Sequence, residues 1–204
     1  IPINDFTESL SRLSDYLDRD QRREITQILA TQVFEALYPI ESIEKIVVLS
    51  NEIEWLKSFE NPKITILKDP EVKQLKEKIA HAVNWIQSQG VESVLYLSVD
   101  LPFVQDKDVA NFITQHQGGL SIIKAHKDSG TNALILDLPT TLKFQFGINS
   151  FNKHLAAAES QKINTQIVDI EHLSLDLDTW NDLQEFKNNF MHTQLSTFIN
   201  RHNL

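Results

Sequence analysis

The chain has 204 residues, 41% of them hydrophobic, and its 19 Lys and Arg against 28 Asp and Glu give a formal net charge of −9. This length accommodates one substantial core and leaves little room for a second full domain. The acidic balance argues against nucleic-acid binding, which depends on neutralising phosphates with Lys and Arg. No cysteine is present, so disulfides, zinc–thiolate sites and thiol nucleophiles are excluded.

No segment has the length and apolarity of a membrane span, because the most apolar region, residues 94–104, is interrupted by Ser98 and Asp100. The sequence opens with Ile-Pro-Ile-Asn and turns polar at once, which is not the pattern of a signal peptide. We therefore expect a cytoplasmic protein without membrane or nucleic-acid partners, and one that could form a homodimer.

Short runs of β-branched residues alternate along the chain with longer segments of helical periodicity. Residues 1–3 have the composition of a strand end, and we expect the strand to begin before them. Further strands, each bounded by polar residues, are predicted at 45–50, 63–67, 93–99, 120–125, 133–138 and 165–170.

Helices are predicted between these strands. Asp18 can cap a helix that extends through Leu37, with Gln21 three residues later, close to a capping box. A second long helix is predicted at 71–88, and Gly90 ends it. Further helices are predicted at 106–115, 150–160 and 179–190, and residues 191–204 are predicted to form a helical C-terminal appendage.

This order of elements predicts an α/β fold: one domain over residues 1–204, built on a mostly parallel, mixed sheet with helices on both faces. Sheets of this kind bind ligands at the carboxyl ends of their strands. Polar residues that directly follow the apolar runs are therefore the candidates for a functional site.

Asp100 directly follows the strand predicted at 93–99 and precedes Leu101 and Pro102. Pro102 lacks a donor and helps to end the strand. A carboxylate at this edge of the sheet suits Mg²⁺, which prefers hard oxygen ligands. A cap of a turn or helix is the competing interpretation of the same residue.

A second acidic pair, Asp176 and Asp178, flanks Leu177 near the C-terminus. In an extended segment both carboxylates lie on one face. Asp178 or Thr179 could instead cap the helix that begins at Trp180, whereas Asp176 has no comparable structural role.

Two polar turns complete the candidate set. Thr131 and Asn132 follow Gly130 in a turn ahead of an apolar strand, and Gly147 stands ahead of Ser150 at a helix start. Backbone amides and hydroxyls in such places bind phosphate or carboxylate groups. Each turn alone is weak evidence, because Gly, Ser and Asn are also common in ordinary connections.

The histidines carry less information. His81 is expected on the solvated side of its helix, and most of the others are expected on the surface. His126 and His154 are nearer the candidate residues, but neither has metal-ligand spacing to another histidine. No Ser-His-Asp arrangement can be argued from spacing, and both the Walker-type phosphate loop and the dinucleotide glycine fingerprint are missing.

Taken in order, these motifs resemble those of the 2-phospho-L-lactate guanylyltransferase family, of which the chain is a divergent member by this comparison. The resemblance reaches residue 190. The Gly-Thr-Asn-Ala-Leu and Phe-Gly-x-x-Ser-Phe elements, in this order and spacing, are its most specific part. The matching segments are residues 1–3, 11–13, 99–102, 130–134, 146–155 and 175–179.

The resemblance implies a Rossmann-like nucleotidyltransferase fold and a reaction in deazaflavin coenzyme biosynthesis. GMP would pass from GTP to a three-carbon phosphorylated acid (2-phospholactate, phosphoenolpyruvate or 3-phosphoglycerate) with release of pyrophosphate. By position, the resemblance implies that Mg²⁺ is held by Asp100, Asp176 and Asp178. It implies that the GTP phosphates face Ser11 and Arg12. The acid would be held by Thr131, Gly147 and Ser150, supported by Asn132.

The chain departs from the family pattern at three places. Asn4 and Leu10 stand where lysines are usual, and Gln74-Leu75-Lys76 replaces the usual Gly-Leu-Asn. Hydrogen bonds to charged groups contribute about 1.5–3 kcal/mol each, so two lost lysines correspond to roughly 3–6 kcal/mol of phosphate stabilisation. Lys76, Lys124 or Lys127 could compensate.

Three functions therefore stay open. The first is guanylyl transfer to a three-carbon phosphorylated acid. The second is the same chemistry with another nucleotide or a phosphosugar acceptor, and the third is a catalytically inactive homologue that binds a metabolite or a partner protein. The retained acidic residues weigh against the third, because clustered carboxylates without a cation repel one another.

Overall fold

The computed structural model of the protein describes residues 1–70, 72–189 and 193–204. The strands are β1 (Ile46–Ser50), β2 (Ile64–Lys68), β3 (Ser93–Leu97), β4 (Leu120–Lys124), β5 (Thr131–Asp137) and β6 (Thr165–Ile167). The helices are α1 (Arg19–Leu37), α2 (Ile53–Leu56), α3 (Leu75–Ser88), α4 (Asp106–Gln115), α5 (Ser150–Ser160), α6 (Glu171–Ser174), α7 (Trp180–Asn189) and α8 (Gln194–His202).

All six predicted strands are present, with boundaries that differ by at most three residues. The cap of α1 is confirmed: Asp18 accepts a hydrogen bond from the Gln21 backbone, and the Gln21 side chain completes the capping box. Helix α3 begins at Leu75 rather than at residue 71, which lies outside the described residues. The short helices α2 and α6 were not predicted.

The strands form a mixed arrangement. β1 pairs in parallel with β2, and Pro2 forms a parallel bridge to Leu49, which confirms strand character in residues 1–3. The larger sheet has the order β3-β5-β4-β6, in which β4 and β6 are parallel.

The predicted α/β fold with a mixed sheet is confirmed, but parallel pairs do not predominate in the larger sheet, because β5 is antiparallel to both β3 and β4. The six residues between β4 and β5 explain this, because a parallel connection needs a crossover of a dozen or more residues.

Helices cover both faces of this sheet, as predicted. Side chains alternate along β5, so Ala133 and Ile135 belong to one core and Leu134 and Leu136 to another. Helices α1, α4 and α6 contribute to the first core, and α3 and α5 contribute to the second.

The C-terminal helix is part of the protein interior rather than a simple appendage. In α8, Leu195, Phe198 and Ile199 are buried against α1 and α7 in a third apolar cluster. The helical character expected for residues 191–204 is confirmed for α8, while residues 191 and 192 lie outside the described part of the chain. No helix within the described ranges is long and apolar enough to span a membrane.

Candidate active site

A cleft of about 310 Å³ opens where the N-terminal loop meets the carboxyl end of β3. Three elements supply most of its lining: the loop of residues 4–12, the side of α1 and the segment that follows β3. The lining residues are Asn4, Glu8, Ser9, Leu10, Ser11, Arg12, Thr26, Leu29, Val99, Asp100 and Asp178.

Asp100 lies on the floor of this cleft and is not a helix cap, because the N-cap of α4 is Gln105. The Ser98 hydroxyl donates to Asp100 Oδ1 at 2.6 Å. Burial raises the pKa of the Asp100 carboxyl to about 7; the Ser98 hydrogen bond opposes this rise, and the charges of Asp178 and Asp176 add to it.

The segment that carries the acidic pair is held on both sides. The Leu177 backbone N–H donates to the Asp100 carbonyl oxygen at 2.8 Å. On the other side, Asp182 Oδ2 accepts from the backbone N–H groups of Asp178 (2.9 Å) and Thr179 (2.8 Å). Asp182 is buried and forms an ion pair with Lys127.

This arrangement settles which residue caps α7. Thr179 Oγ1 accepts from the Asp182 backbone N–H at 3.4 Å while Asp182 accepts in return, so the capping role belongs to this pair. The Asp178 carboxylate is left to face the cleft, where Arg12 Nη1 donates to it at 2.8 Å.

The three aspartates interact electrostatically but do not form one coordination group. Within residues 1–70, 72–189 and 193–204, no group of three or more His, Asp or Glu side chains lies close enough together to hold a metal ion. The prediction of a three-aspartate metal site is not met in this geometry. Arg12 engages Asp178, whereas the Asn132 side chain lies beside Asp176 and acts to lower its pKa.

The carboxylates nevertheless suit a divalent cation in their chemistry. Burial raises the pKa of Asp176 and of Asp178, and the charge of Asp178 raises that of Asp176 further. A bound cation would relieve this mutual repulsion. Mg²⁺ commonly takes only one or two protein carboxylates together with substrate phosphates, a number that Asp100 and Asp178 can supply from the cleft.

Ser11 and Arg12 lie in the cleft lining on a single 3₁₀ turn, and their role in contacting a nucleotide stays a prediction. The turn is anchored on both sides. Arg22 Nη1 donates to the Ser9 carbonyl oxygen at 3.0 Å, and Tyr16 stacks on Trp180 with ring centroids 4.6 Å apart.

Asn4 and Leu10 also line the cleft, so two of the three departures from the family pattern fall directly on it. The three lysines considered as replacements lie elsewhere: Lys76 lines a separate groove, Lys127 pairs with Asp182, and Lys124 is exposed above the Phe151 ring. Arg12 is the cationic side chain of the cleft lining.

The predicted acid-binding residues form a second, adjoining group. Thr131 and Asn132 were predicted to lie in a turn, but they form the beginning of β5, and both are buried. The register shifts between Ile123 and Lys124, which pair with Ala133 and Thr131, so Asn132 is left without a partner in this ladder and the regular alternation of side chains is interrupted. The Ser98 backbone N–H donates to the Asn132 carbonyl oxygen at 2.8 Å, so this strand end adjoins the Asp100 segment.

Ser150 begins α5 and reaches back to this strand end, with its Oγ 3.1 Å from Thr131 Oγ1. Gly147 has a φ of 109°, which favours glycine, and its carbonyl oxygen accepts from the Ser150 backbone N–H at 3.0 Å. The structure therefore brings Thr131, Gly147 and Ser150 together as predicted, but outside the cleft lining.

His154 also belongs to this group, although the sequence analysis assigned it no role. It is fully buried, with Nδ1 3.1 Å from Thr131 Oγ1 and Nε2 accepting from the Gln145 backbone N–H at 2.9 Å. Its position four residues after Ser150 places both side chains on one face of α5, a signal that the sequence does contain.

A Ser-His-Asp arrangement is present elsewhere, although spacing did not predict it. His116 Nδ1 lies 2.7 Å from Ser121 Oγ, and its Nε2 lies 3.0 Å from Asp137 Oδ1. The Ser121 hydroxyl lies within β4 and is engaged both by His116 and by Gln166 Oε1, to which it donates at 3.3 Å, so it is not placed to act as a nucleophile. The network stabilises the connection between α4 and β4. His81 and His126 are exposed.

Solved structures of nucleotidyltransferases share this fold. A protein from Desulfovibrio desulfuricans described as a nucleotide-diphospho-sugar transferase superposes with a TM-score of 0.78 at 12% identity, covering 99% of this chain and 93% of that one. A nucleotidyl transferase from Methanothermobacter superposes with a TM-score of 0.56 at 12% identity, covering 87% and 81%. The protein therefore has the fold of these nucleotidyltransferases.

The particular family is settled by sequence. The chain belongs to the family "Guanylyl transferase CofC like", which it matches over residues 1–200. It is 29% identical to a 2-phospho-L-lactate guanylyltransferase of Methanobrevibacter ruminantium, covering 91% of this chain and 82% of the relative. It is 26% identical to a phosphoenolpyruvate guanylyltransferase of Sphaerobacter thermophilus, covering 91% and 89%.

The buried His154 makes stability depend on pH in a predictable direction. Burial lowers the pKa of its imidazole to about 4, whereas a histidine in an unfolded chain titrates near 6.5. Between these values the unfolded state takes up a proton that the folded state does not. The contribution of His154 to the free energy of unfolding therefore falls by about 1.4 kcal/mol per pH unit below 6.5.

We expect the stability difference between the wild type and His154→Gln to shift by about 2 kcal/mol in favour of the variant between pH 7 and pH 5. Urea denaturation at the two pH values measures this difference. Asp100 and Asp176, whose raised pKa values make stability increase as the pH falls, are present in both proteins, so their contributions cancel in the difference. His126→Gln, which replaces an exposed histidine, is the matched control and keeps a constant difference. A constant difference for His154→Gln as well would contradict the assignment.

Proposed function

We propose that the protein transfers GMP from GTP to a three-carbon phosphorylated acid and releases pyrophosphate, with Mg²⁺ as cofactor. One observation carries this proposal. The cleft that presents Asp100, Asp178 and Arg12 adjoins a strand end whose hydroxyl groups suit an anionic acceptor. Family membership and the names of the relatives support the same chemistry.

In this reaction a phosphate oxygen of the acid attacks the α-phosphorus of GTP. The new bond joins that oxygen to phosphorus, the bond between the α-phosphorus and the bridging oxygen breaks, and pyrophosphate leaves. No side chain becomes covalently modified. Charge builds up on the phosphate oxygens as the bonds change, so the main task of the protein is to neutralise charge and align the groups.

Each part of the site has a role in this scheme. Arg12, on its anchored turn, would donate to the triphosphate, and Ser11 lies beside it. Asp100 and Asp178 would hold Mg²⁺, which when bound offsets the negative charge of the phosphates. Asp176 adds negative potential next to this pair, and the Thr131–Ser150 group would bind the acid.

The names of the relatives indicate the chemical class of the acceptor. The relatives are named for 2-phospho-L-lactate and for phosphoenolpyruvate, both of which are three-carbon phosphorylated acids. We propose one of these or the related 3-phosphoglycerate, in the cytoplasmic biosynthesis of a deazaflavin coenzyme. A different nucleotide or acceptor is the second candidate, because Asn4 and Leu10 alter the cleft itself.

Asp100→Asn tests the metal assignment. We expect it to lower the rate of pyrophosphate release from GTP and the acid by at least about 100-fold, because an amide does not replace a charged metal ligand. The fold should persist, since the buried carboxyl is close in shape to the amide, and far-ultraviolet circular dichroism checks this. Asp15→Asn, at an exposed position outside the cleft, should keep full activity. Full activity of Asp100→Asn would show that Asp100 is not a metal ligand.

Leu10→Lys tests whether the family's missing lysine limits nucleotide binding. A restored charge in the cleft should lower the KM for GTP about tenfold, which corresponds to one charge-assisted hydrogen bond of about 1.4 kcal/mol. Steady-state kinetics at fixed ionic strength measures the effect. Thr114→Lys adds the same charge at an exposed site on α4 and should leave the KM for GTP unchanged. An unchanged KM in both variants would argue for a nucleotide site elsewhere.

A further inference from the structure

The hydroxyl groups of Thr131 and Ser150 belong to a short chain of hydrogen bonds that begins at the protein backbone. The chain passes from the Gln145 backbone N–H to His154 Nε2, from His154 Nδ1 to Thr131 Oγ1, and from Thr131 Oγ1 to Ser150 Oγ. The three side chains are buried, with 7% exposure or less. The direction in which each proton points therefore decides what this group can bind.

The first link fixes the tautomer of the histidine. A backbone N–H can only donate, so His154 Nε2 must present a lone pair to Gln145. The imidazole stays neutral near pH 7, because burial lowers its pKa to about 4. A neutral imidazole without a proton on Nε2 carries it on Nδ1. His154 therefore donates to Thr131 Oγ1 and does not accept from it.

The remaining protons can then be counted. Thr131 and Ser150 have one hydroxyl proton each, and the bond between the two oxygens uses one of them. The other proton has no acceptor among the residues that the structure describes, whichever of the two hydroxyls donates to its neighbour. With the opposite tautomer, Thr131 would donate to His154 and Ser150 to Thr131, and no proton would remain.

We propose that His154 is a positioning residue for the acceptor: held in one tautomer by Gln145, it orients the Thr131–Ser150 pair to donate a hydrogen bond to an anionic oxygen of the phosphorylated acid. This inference rests on the proposed function. It also predicts a selectivity, because a pair that keeps a spare proton favours carboxylate or phosphate oxygens over groups that can only donate.

The packing of His154 supports a fixed ring. The Phe146 ring meets the imidazole edge-on, with centroids 5.0 Å apart and an interplanar angle of 74°. The Phe144 ring contacts it similarly at 6.4 Å and 76°. Rotation of the ring by half a turn would remove both nitrogens from their partners, so the aromatic contacts help to maintain the direction of the hydrogen-bond chain.

Three substitutions of His154 separate this role from a purely structural one. Asn can keep a donor near the Nδ1 position, facing Thr131, but it is too short to accept from Gln145. Gln can keep an acceptor near the Nε2 position for Gln145, but it loses the donor facing Thr131. Leu fills much of the space and keeps neither hydrogen bond.

The measurement is the Kd of the wild type and each variant for phosphoenolpyruvate, 2-phospholactate and GTP, obtained by calorimetric titration. We expect His154→Leu and His154→Gln to raise the Kd of the favoured acid about tenfold, and His154→Asn to stay within about threefold of the wild type. The Kd for GTP should stay within about twofold in all three variants. Rescue by Gln rather than Asn, or parallel changes in the Kd for GTP, would overturn the proposal.

A second measurement needs no variant and no activity. Nitrogen-15 NMR of the wild-type histidines reports which ring nitrogen carries the proton, and His154→Gln assigns the signal by its loss. We expect the Nδ1–H form, unchanged between pH 7.5 and pH 5.5. A signal of the Nε2–H form would overturn the proposal even if the protein binds the acid. A failure of guanylyl transfer with an intact Nδ1–H signal and acid binding would instead count against the proposed function alone.

Discussion

The site depends on one constraint, which is the attachment of residues 176–179 to the end of β3. The Leu177 backbone donates to the Asp100 carbonyl oxygen, and Asp182 accepts from the two backbone N–H groups that follow Leu177. These bonds bring three carboxylates close together in a partly buried environment, and burial raises the pKa of each of them. Without this attachment, Asp178 would lose both its place in the cleft and its partner Arg12.

The same attachment connects distant parts of the chain. Lys127, in the connection from β4 to β5, forms an ion pair with Asp182, and Tyr16 stacks on Trp180 at the start of α7. Helix α8 packs on α1 and α7, which fixes the helices from which the N-terminal loop and the acidic segment extend. The C-terminal helix thus supports the site although no residue of it lines the cleft.

Much of the fold followed from local patterns in the sequence. The cap at Asp18 and the limits of α4 and α5 were predicted closely, because capping residues and helical periodicity act over a few neighbouring positions. The position of Asp100 after β3 was predicted from the apolar run that it follows. The direction of β5 was missed, although the short connection at residues 125–130 was visible in the sequence and favours an antiparallel pair.

The parts of the site that depend on tertiary contacts were not predictable. The register shift between Ile123 and Lys124 leaves no local pattern, whereas the reciprocal cap of Thr179 and Asp182 is a four-residue pattern that the sequence does contain. No role was predicted for His154, because the sequence places no second histidine at metal-ligand spacing from it. Its importance comes from Gln145 and Thr131, which reach it from separate segments.

The most direct test of the central claim is to identify the product formed from GTP, Mg²⁺ and each three-carbon phosphorylated acid, using phosphorus-31 NMR and mass spectrometry. The account predicts pyrophosphate release that requires one of the acids, together with a product in which GMP is joined to the phosphate of that acid. Pyrophosphate release that is independent of every acid, or no reaction with any of them by folded protein, would contradict it.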